Sequence, residues 1–231
     1  MELRLPANYS DLTLRHLQVL ETTDDPIKRV QVVTGKPFAE LRKMPQALLV
    51  EAAAHIDSLL AREVSKHERI LTLDGKEYGF IPDWEKFSAG EWIDMETYTK
   101  DFWKTAHKAM SVLYRPITQK WGDKYTVAEY TAQEDATPFL DMPAPAVAGA
   151  LLFFLDYRAG ITQHFGVLFD DESGASDPFY SKWQWYPALY SLAGEDVLKI
   201  DEVTRLTVGH VFTHLAFLKD LDYKRRTEAK K

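Results

Sequence analysis

The pattern of apolar and polar positions predicts that most of the chain is helical. Residues 45–64 show the clearest amphipathic pattern, with one apolar stripe formed by Leu48, Leu49, Ala52, Ala53, Ile56, Leu59, Leu60 and Val64. Shorter helices are predicted within 9–21 and 24–35. In the second of these, Pro26 lies in the first turn and Gly35 ends the helix, as these residue types favour.

The apolar period changes near residues 69–82, where two short alternating runs flank the dipeptide Asp74-Gly75. This combination is a strong local signal for a β-hairpin. Helical spacing then returns up to Pro116, which cannot continue a helix. Further helices are predicted around residues 144–160, 183–194 and 200–222. We therefore predict a mainly α fold, a multi-helix globular bundle with one small β-hairpin near residues 69–82.

The hairpin also marks the expected division of the chain. Residues 1–66 form a predicted N-terminal helical region, and residues 67–231 form the hairpin with a C-terminal helical region. The seam at 65–85 either separates two domains or lies within one continuous domain. No internal repeat is visible in the sequence. Gly149 is surrounded by alanines, so a close helix–helix approach is expected there.

Composition narrows the classes of partner. The net charge of −7 and the pI near 5.5 argue against a surface that binds nucleic acid. There are no cysteines, which excludes disulfides and thiolate metal sites. The charged N-terminus does not resemble a signal peptide. The most apolar run, 144–155, is shorter than the roughly 20 residues that span a bilayer. We expect a soluble intracellular protein that binds neither nucleic acid nor membrane.

Two groups of residues are candidate metal ligands. His210 and His214 lie four residues apart, which places both imidazoles on one face of a helix. A metal site needs a third ligand, and the segment lacks the His-Glu-x-x-His pattern of metalloproteases, so helix packing is favoured over a metal. Four acidic residues lie within eight positions, at Asp170, Asp171, Glu172 and Asp177. They lack the order of an EF-hand, and a solvated loop is favoured. We predict no catalytic residue, no cofactor and no metal.

Aromatic residues are concentrated at 180–190, and we interpret four of them as candidate partner-binding residues: Trp183, Trp185, Tyr186 and Tyr190. Tryptophan, tyrosine and arginine dominate interface hot spots, although packing in the core is the alternative. Helical spacing aligns 183, 186 and 190 and leaves Trp185 elsewhere. Trp185 is therefore expected either outside the core or folded under the loop at 166–180. Arg115, beside Tyr114 at a predicted helix end, is the fifth candidate. It could bind a partner or tie helix carbonyls within the chain.

The order of several segments resembles a family of tailed-bacteriophage structural and assembly proteins. The opening carries a Leu-Pro start, a Thr-Leu helix and a Val-Val-Thr-Gly helix end, within residues 5–44. The middle carries Phe-Ile-Pro-Asp, Gly-Glu, Ile-Asp and Val-Leu-Tyr-Arg-Pro, within residues 78–118. Residues 142–160 and 189–220 resemble the last helices of that family. The insert at 165–186 departs from it.

The resemblance implies a non-enzymatic phage assembly protein, of the kind described as a tail-assembly chaperone. Such a protein would bind the tape-measure protein while the tail-tube protein polymerises around it, in the host cytoplasm. Two other classes stay open. One is a structural subunit of the virion, such as a head–tail connector or a tail-completion protein. The other is a small enzyme with an unrecognised site. The oligomeric state is not predicted.

Overall fold

The computed structural model describes residues 3–62, 65–132, 135–169 and 178–229 and confirms a mainly helical chain. The protein is 64% helical, and the described ranges contain twelve helices and one small antiparallel sheet. The helices are α1 (Leu14–Leu20), α2 (Pro26–Thr34), α3 (Phe38–Leu41), α4 (Gln46–Leu60), α5 (Ala89–Thr99), α6 (Phe102–Leu113), α7 (Ala144–His164), α8 (Gly166–Phe169), α9 (Pro178–Trp183), α10 (Tyr186–Leu192), α11 (Ile200–Arg205) and α12 (Val208–Glu228). The strands are β1 (Ile70–Leu73), β2 (Lys76–Phe80), β3 (Tyr114–Trp121) and β4 (Lys124–Val127).

The sheet is larger than the single hairpin that the sequence predicted. Its order is β1-β2-β3-β4, with antiparallel neighbours throughout. The predicted hairpin forms β1 and β2, and its turn residues Asp74 and Gly75 both have positive φ, as a type I′ turn requires. The second hairpin was missed because Pro116 was interpreted only as a helix end. The α6 helix stops at Leu113, and Pro116 lies within β3 opposite Tyr78.

The chain divides into two compact units, each built from separate stretches of sequence. Unit 1 comprises residues 1–82 and 98–153, and unit 2 comprises residues 83–97 and 154–231. These bounds differ from the predicted division at residue 66. The segment after α4 stays in unit 1, where the N–H of Lys66 donates to the carbonyl of Pro145 at 2.8 Å.

The core of unit 1 joins the N-terminal helices to the start of α7. Its buried members are apolar side chains from α1, α2, α4 and neighbouring residues: Tyr9, Leu12, Leu17, Leu20, Val30, Leu41, Leu49, Ala52, Ile56 and Ala144. These include the central part of the stripe predicted on α4. The sheet contributes aromatic contacts, with the ring centroids of Tyr78 and Phe139 at 5.0 Å and those of Phe80 and Tyr114 at 5.1 Å.

Gly149 is a point of close approach, but its neighbour is not a helix. A Cβ atom built on Gly149 would lie 2.4 Å from the carbonyl oxygen of Lys66 and 3.0 Å from the backbone nitrogen of His67. The expected helix–helix approach is therefore wrong. The small residue admits the extended segment that follows α4, whose main chain runs against the first turns of α7.

Aromatic rings form the core of unit 2. Phe212 lies at the centre, with ring centroids 5.3 Å from Trp92, 5.6 Å from Phe165 and 5.6 Å from Trp185. Trp92 and Phe212 are almost fully buried. Burying such large rings supplies much of the hydrophobic stabilisation available to a small unit.

The two units share a local arrangement that the sequence did not indicate. In unit 1 the first residues of α1 and α7 are joined by two main-chain hydrogen bonds, Leu14 N–H to the Met142 carbonyl and Ala144 N–H to the Leu12 carbonyl, both 2.9 Å. In unit 2 the N-termini of α5 and α12 are joined in the same way. Both bonds there are 2.8 Å: Val208 N–H to Phe87 and Ala89 N–H to Leu206. Each pair supplies acceptors for helix N–H groups that have no partner within their own helix.

The α7 helix is longer than the apolar run that the sequence analysis singled out. It has 21 residues, and by length and composition alone it could cross a membrane. Core helices of globular proteins meet the same criterion, and 44% of its most apolar stretch is buried inside the protein.

Candidate partner-binding surface

The aromatic segment folds into two short helices of unit 2. The α9 helix begins at Pro178, and α10 has Pro187 in its first turn, where a missing N–H costs nothing. Between them Gln184 has a φ of +49°, a left-handed conformation that stops α9 after Trp183. The chain then starts α10 in a new direction, so the aromatic side chains of both helices do not follow one continuous helical wheel.

Three of the predicted residues lie together on the surface. Trp183, Tyr186 and Tyr190 are 43%, 43% and 37% exposed. The ring centroids of Trp183 and Tyr186 are 5.7 Å apart, and those of Tyr186 and Tyr190 are 6.2 Å apart with nearly parallel planes. The ammonium of Lys182 lies 5.0 Å from the Trp183 ring centroid. We call Trp183, Tyr186 and Tyr190 the aromatic row.

Trp185 does not belong to this row. Its ring stacks on Phe212 with an interplanar angle of 8°, and the side chain is half-buried. The ring of Trp185 is therefore turned toward Phe212 and away from the aromatic row, because the break at Gln184 changes the direction of the chain. The alternative, burial under the preceding loop, involves residues 170–177, which lie outside the described residues. The contact that the structure does describe is with α12.

Arg115 is placed in unit 1 and not at a helix end. It lies on β3, opposite Gly79 in the register of β2, and it is half-buried. The α6 helix ends two residues before Arg115, at Leu113. The partner-binding residues predicted from sequence thus separate into the aromatic row, a half-buried tryptophan that contacts Phe212, and a sheet residue.

Phe179 is an exposed aromatic residue that was not among the predicted partner-binding residues. It precedes Trp183 by one helical turn on α9 and is 53% exposed. Phe179 lies four residues before Trp183 within the same helix, and that spacing is the signal that could have identified it.

His210 and His214 lie on the exposed side of α12. The backbone N–H of His210 donates to the Thr207 hydroxyl at 3.3 Å, which caps the helix. The His214 ring lies 6.1 Å from Phe217. Within the described ranges there is no group of three or more His, Asp or Glu side chains placed to hold a metal ion. The acidic run at 170–177 lies outside those ranges.

Replacing His210 or His214 with alanine is expected to lower the free energy of unfolding by at most about 1 kcal/mol, since both side chains are exposed. Urea denaturation of each variant tests this. Elemental analysis of the purified wild type should show no stoichiometric zinc. Zinc that is present in the wild type and lost from either variant would contradict the expectation.

His16 is the control for the histidine variants. Its Nδ1 accepts from the Thr13 N–H at 3.0 Å, which completes the start of α1. Burial lowers its pKa, and the charge of Arg15 lowers it further. His16→Ala removes a helix cap and should cost more than either α12 variant, about 1–2 kcal/mol.

Unit 2 also buries a carboxylate, Glu91. Its Oε2 accepts from the Ser88 N–H at 2.7 Å, and its own N–H donates to the Ser88 hydroxyl at 3.2 Å. This reciprocal pair is a capping box at the start of α5. Burial, and then the charge of Glu91, raises the pKa of Tyr157 to about 12. The buried carboxylate of Glu91 therefore serves as a helix cap.

Comparison of the chain with protein-family models, with curated proteins and with solved structures gives no match.

Proposed function

We propose that this protein is a non-enzymatic assembly protein that holds a helix of a partner on the aromatic row. In the context that the sequence resemblance suggests, the partner is the tape-measure protein of a tailed phage, and the protein is a tail-assembly chaperone. The observation that carries the proposal is the exposed row itself, three large aromatic side chains within 6.2 Å of their neighbours.

Two physical arguments support a binding role for this surface. Trp and Tyr provide a large apolar contact area and lose little side-chain entropy on binding, which is why they dominate interface hot spots. The neighbouring rings hold one another in place, so part of that ordering cost is already met in the free protein. An amphipathic helix that lays its apolar side on such a row would use a common mode of peptide recognition.

The test is co-expression with the tape-measure protein from the same genome, comparing wild type with Trp183→Ala/Tyr186→Ala/Tyr190→Ala. We expect the wild type to keep the partner soluble and to co-purify with it. The triple variant should bind at least tenfold more weakly, as expected when hot-spot residues are truncated. Quantitative pull-down and the soluble fraction of the partner give the readout.

Trp121→Ala is the matched control, because Trp121 is also an exposed tryptophan, at 51%, but lies on β3 of unit 1. It should bind like wild type. Trp185→Ala is unsuitable as an interface test because it removes a core contact with Phe212. If the triple variant folds and binds as well as wild type, the row is not the binding surface. If wild type neither binds nor solubilises the partner, the chaperone proposal fails and a virion subunit takes its place.

A further inference from the structure

One peptide group, between Leu12 and Thr13, lies at the centre of the contact between the N-termini of α1 and α7. Its carbonyl, on Leu12, accepts from the Ala144 N–H at 2.9 Å. Its N–H, on Thr13, donates to Nδ1 of His16 at 3.0 Å. The next N–H along the chain makes the second of the two bonds that join α1 to α7. We call this arrangement, the bond to His16 included, the α1–α7 junction.

His16 stands where a capping box usually has glutamate or glutamine. Thr13 is the N-cap of α1, and His16 is the third residue of the helix. At that position the side chain of glutamate or glutamine accepts a hydrogen bond from the N-cap N–H. In unit 2 the same position at the start of α5 is filled by Glu91, which accepts from Ser88 in this way. The two units therefore share one local arrangement, with an imidazole acceptor in unit 1 and a carboxylate acceptor in unit 2.

The bond from Thr13 requires that Nδ1 of His16 carries no proton. A main-chain N–H can only donate, so Nδ1 is the acceptor. When the imidazole takes up a proton, both ring nitrogens carry hydrogen, and Nδ1–H then faces the Thr13 N–H. The peptide group must turn away from His16. Because the Leu12 carbonyl belongs to the same rigid peptide plane, this rotation also disturbs its bond from Ala144.

The surroundings of His16 favour the neutral imidazole. The side chain is half-buried, and burial lowers its pKa. The charge of Arg15 lowers the pKa further, and the charge of Asp141 raises it. Because the pKa in the folded protein lies below that of the unfolded chain, about 6.5, the contribution of His16 to stability is complete above about pH 6.5. It is lost as the pH falls through the pKa of the folded protein.

The helix α6, which packs against α1, carries a second imidazole that acts in the same direction. Nε2 of Gln18 on α1 lies 3.2 Å from Nδ1 of His107 and donates to the Lys104 carbonyl at 3.3 Å. Burial, and then the charge of Lys108, lowers the pKa of His107. The first twelve residues of α7, 144–155, carry no ionisable side chain. The other charged residues on or beside the elements packed against α1 are Asp11, Asp25, Lys28, Arg29, Lys104 and Asp141.

We propose that protonation of His16 opens the α1–α7 junction, so that the start of α1 is an acid-sensitive conformational switch. The neutral imidazole holds the junction closed. In mild acid the Thr13 N–H loses its acceptor, and local opening exposes Leu12 and Leu14, which are fully buried in the closed form. This inference does not rest on the proposed function, because α1 belongs to unit 1 and the aromatic row to unit 2.

The test is hydrogen exchange of the full-length protein, followed by mass spectrometry, at about pH 7.5 and about pH 5, on either side of the range in which histidine titrates. Dilute protein is used, because the net charge approaches zero near the pI of 5.5. The readout is the protection factor, the ratio of the intrinsic to the observed exchange rate at each pH, for peptides covering 10–17 and 140–147. Protection should fall about fivefold in acid, the factor equivalent to the loss of one helix cap.

The corresponding junction of unit 2 is the internal reference. Peptides covering 86–92 and 205–211 report on the N-termini of α5 and α12, where the acceptor is the carboxylate of Glu91. Carboxyl groups titrate in a more acidic range than imidazoles, so protection there should change by less than about twofold. An equal fall in both units would show a general loss of stability in acid and would overturn the proposal.

His16→Gln is the decisive variant, because glutamine keeps an acceptor at the third helical position and does not titrate. Its protection at the α1–α7 junction should be the same at both pH values. His16→Ala has no acceptor at either pH and should show low protection at both. His107→Gln should keep the pH dependence of the wild type. The proposal fails if wild-type protection does not change, if His16→Gln shows the same fall, or if His107→Gln alone removes it.

Discussion

Gly149→Ala is expected to destabilise the protein by about 1–3 kcal/mol, whereas Gly160→Ala in the same helix should stabilise it by about 0.5–1 kcal/mol. The new Cβ at position 149 would lie 2.4 Å from the carbonyl oxygen of Lys66, a main-chain atom that moves only with its segment. At Gly160, apart from the adjoining residues and backbone of its own helix, no heavy atom of the described residues lies within 4 Å of that position. There the substitution only removes the entropic cost of a helical glycine.

The two variants make a matched pair because the chemical change and the helix are the same. Urea denaturation should give midpoints that move in opposite directions with an unchanged m-value. Gly149→Leu, with a longer side chain, should be at least as destabilising as alanine. If Gly149→Ala raised the urea midpoint, or left it unchanged, the segment at 66–67 would not pack against α7.

The sequence predicted this packing site in part, since a glycine among alanines indicates a close approach. The identity of the neighbour was not predictable from helix periodicity, because residues 66–67 carry no regular pattern and reach α7 through main-chain atoms.

The same limit explains the missed hairpin. Pro116 was read as a helix breaker, although a proline φ of about −65° also fits extended structure. The turn at Gly122, which has a positive φ and joins β3 to β4, was the better signal.

The candidate partner-binding surface was also predicted only in part from the sequence. The residue types and the i, i+3, i+7 spacing of the aromatic row were visible in the sequence, and the structure places those three side chains on the surface together. The inward position of Trp185 was not visible. It results from the left-handed conformation of Gln184, and that residue type gives no warning of positive φ.

Replacing Arg29 with methionine is expected to destabilise the protein by about 2–4 kcal/mol. The guanidinium is almost fully buried, and its Nη1 donates to the carbonyls of Leu20 and Thr23 at 2.6 and 2.9 Å. Leu20 ends α1, so Arg29 supplies a donor for a helix-terminal carbonyl and ties α1 to α2. Methionine has a similar reach but no donor, so the buried carbonyl of Leu20 and the partly buried carbonyl of Thr23 would both lose this hydrogen bond.

Arg15→Met is the control, because Arg15 also pairs with an aspartate, Asp141 at 3.1 Å, but both side chains are more than half exposed. An exposed ion pair contributes up to about 1 kcal/mol, so this variant should remain close to wild type. Asp57→Asn separates the two roles of Arg29. The Asp57 side chain is 63% exposed, and its loss should cost about 1 kcal/mol while the carbonyl contacts persist. A cost equal to that of Arg29→Met would show that the ion pair, and not the hydrogen bonds to α1 and its following loop, joins the two helices.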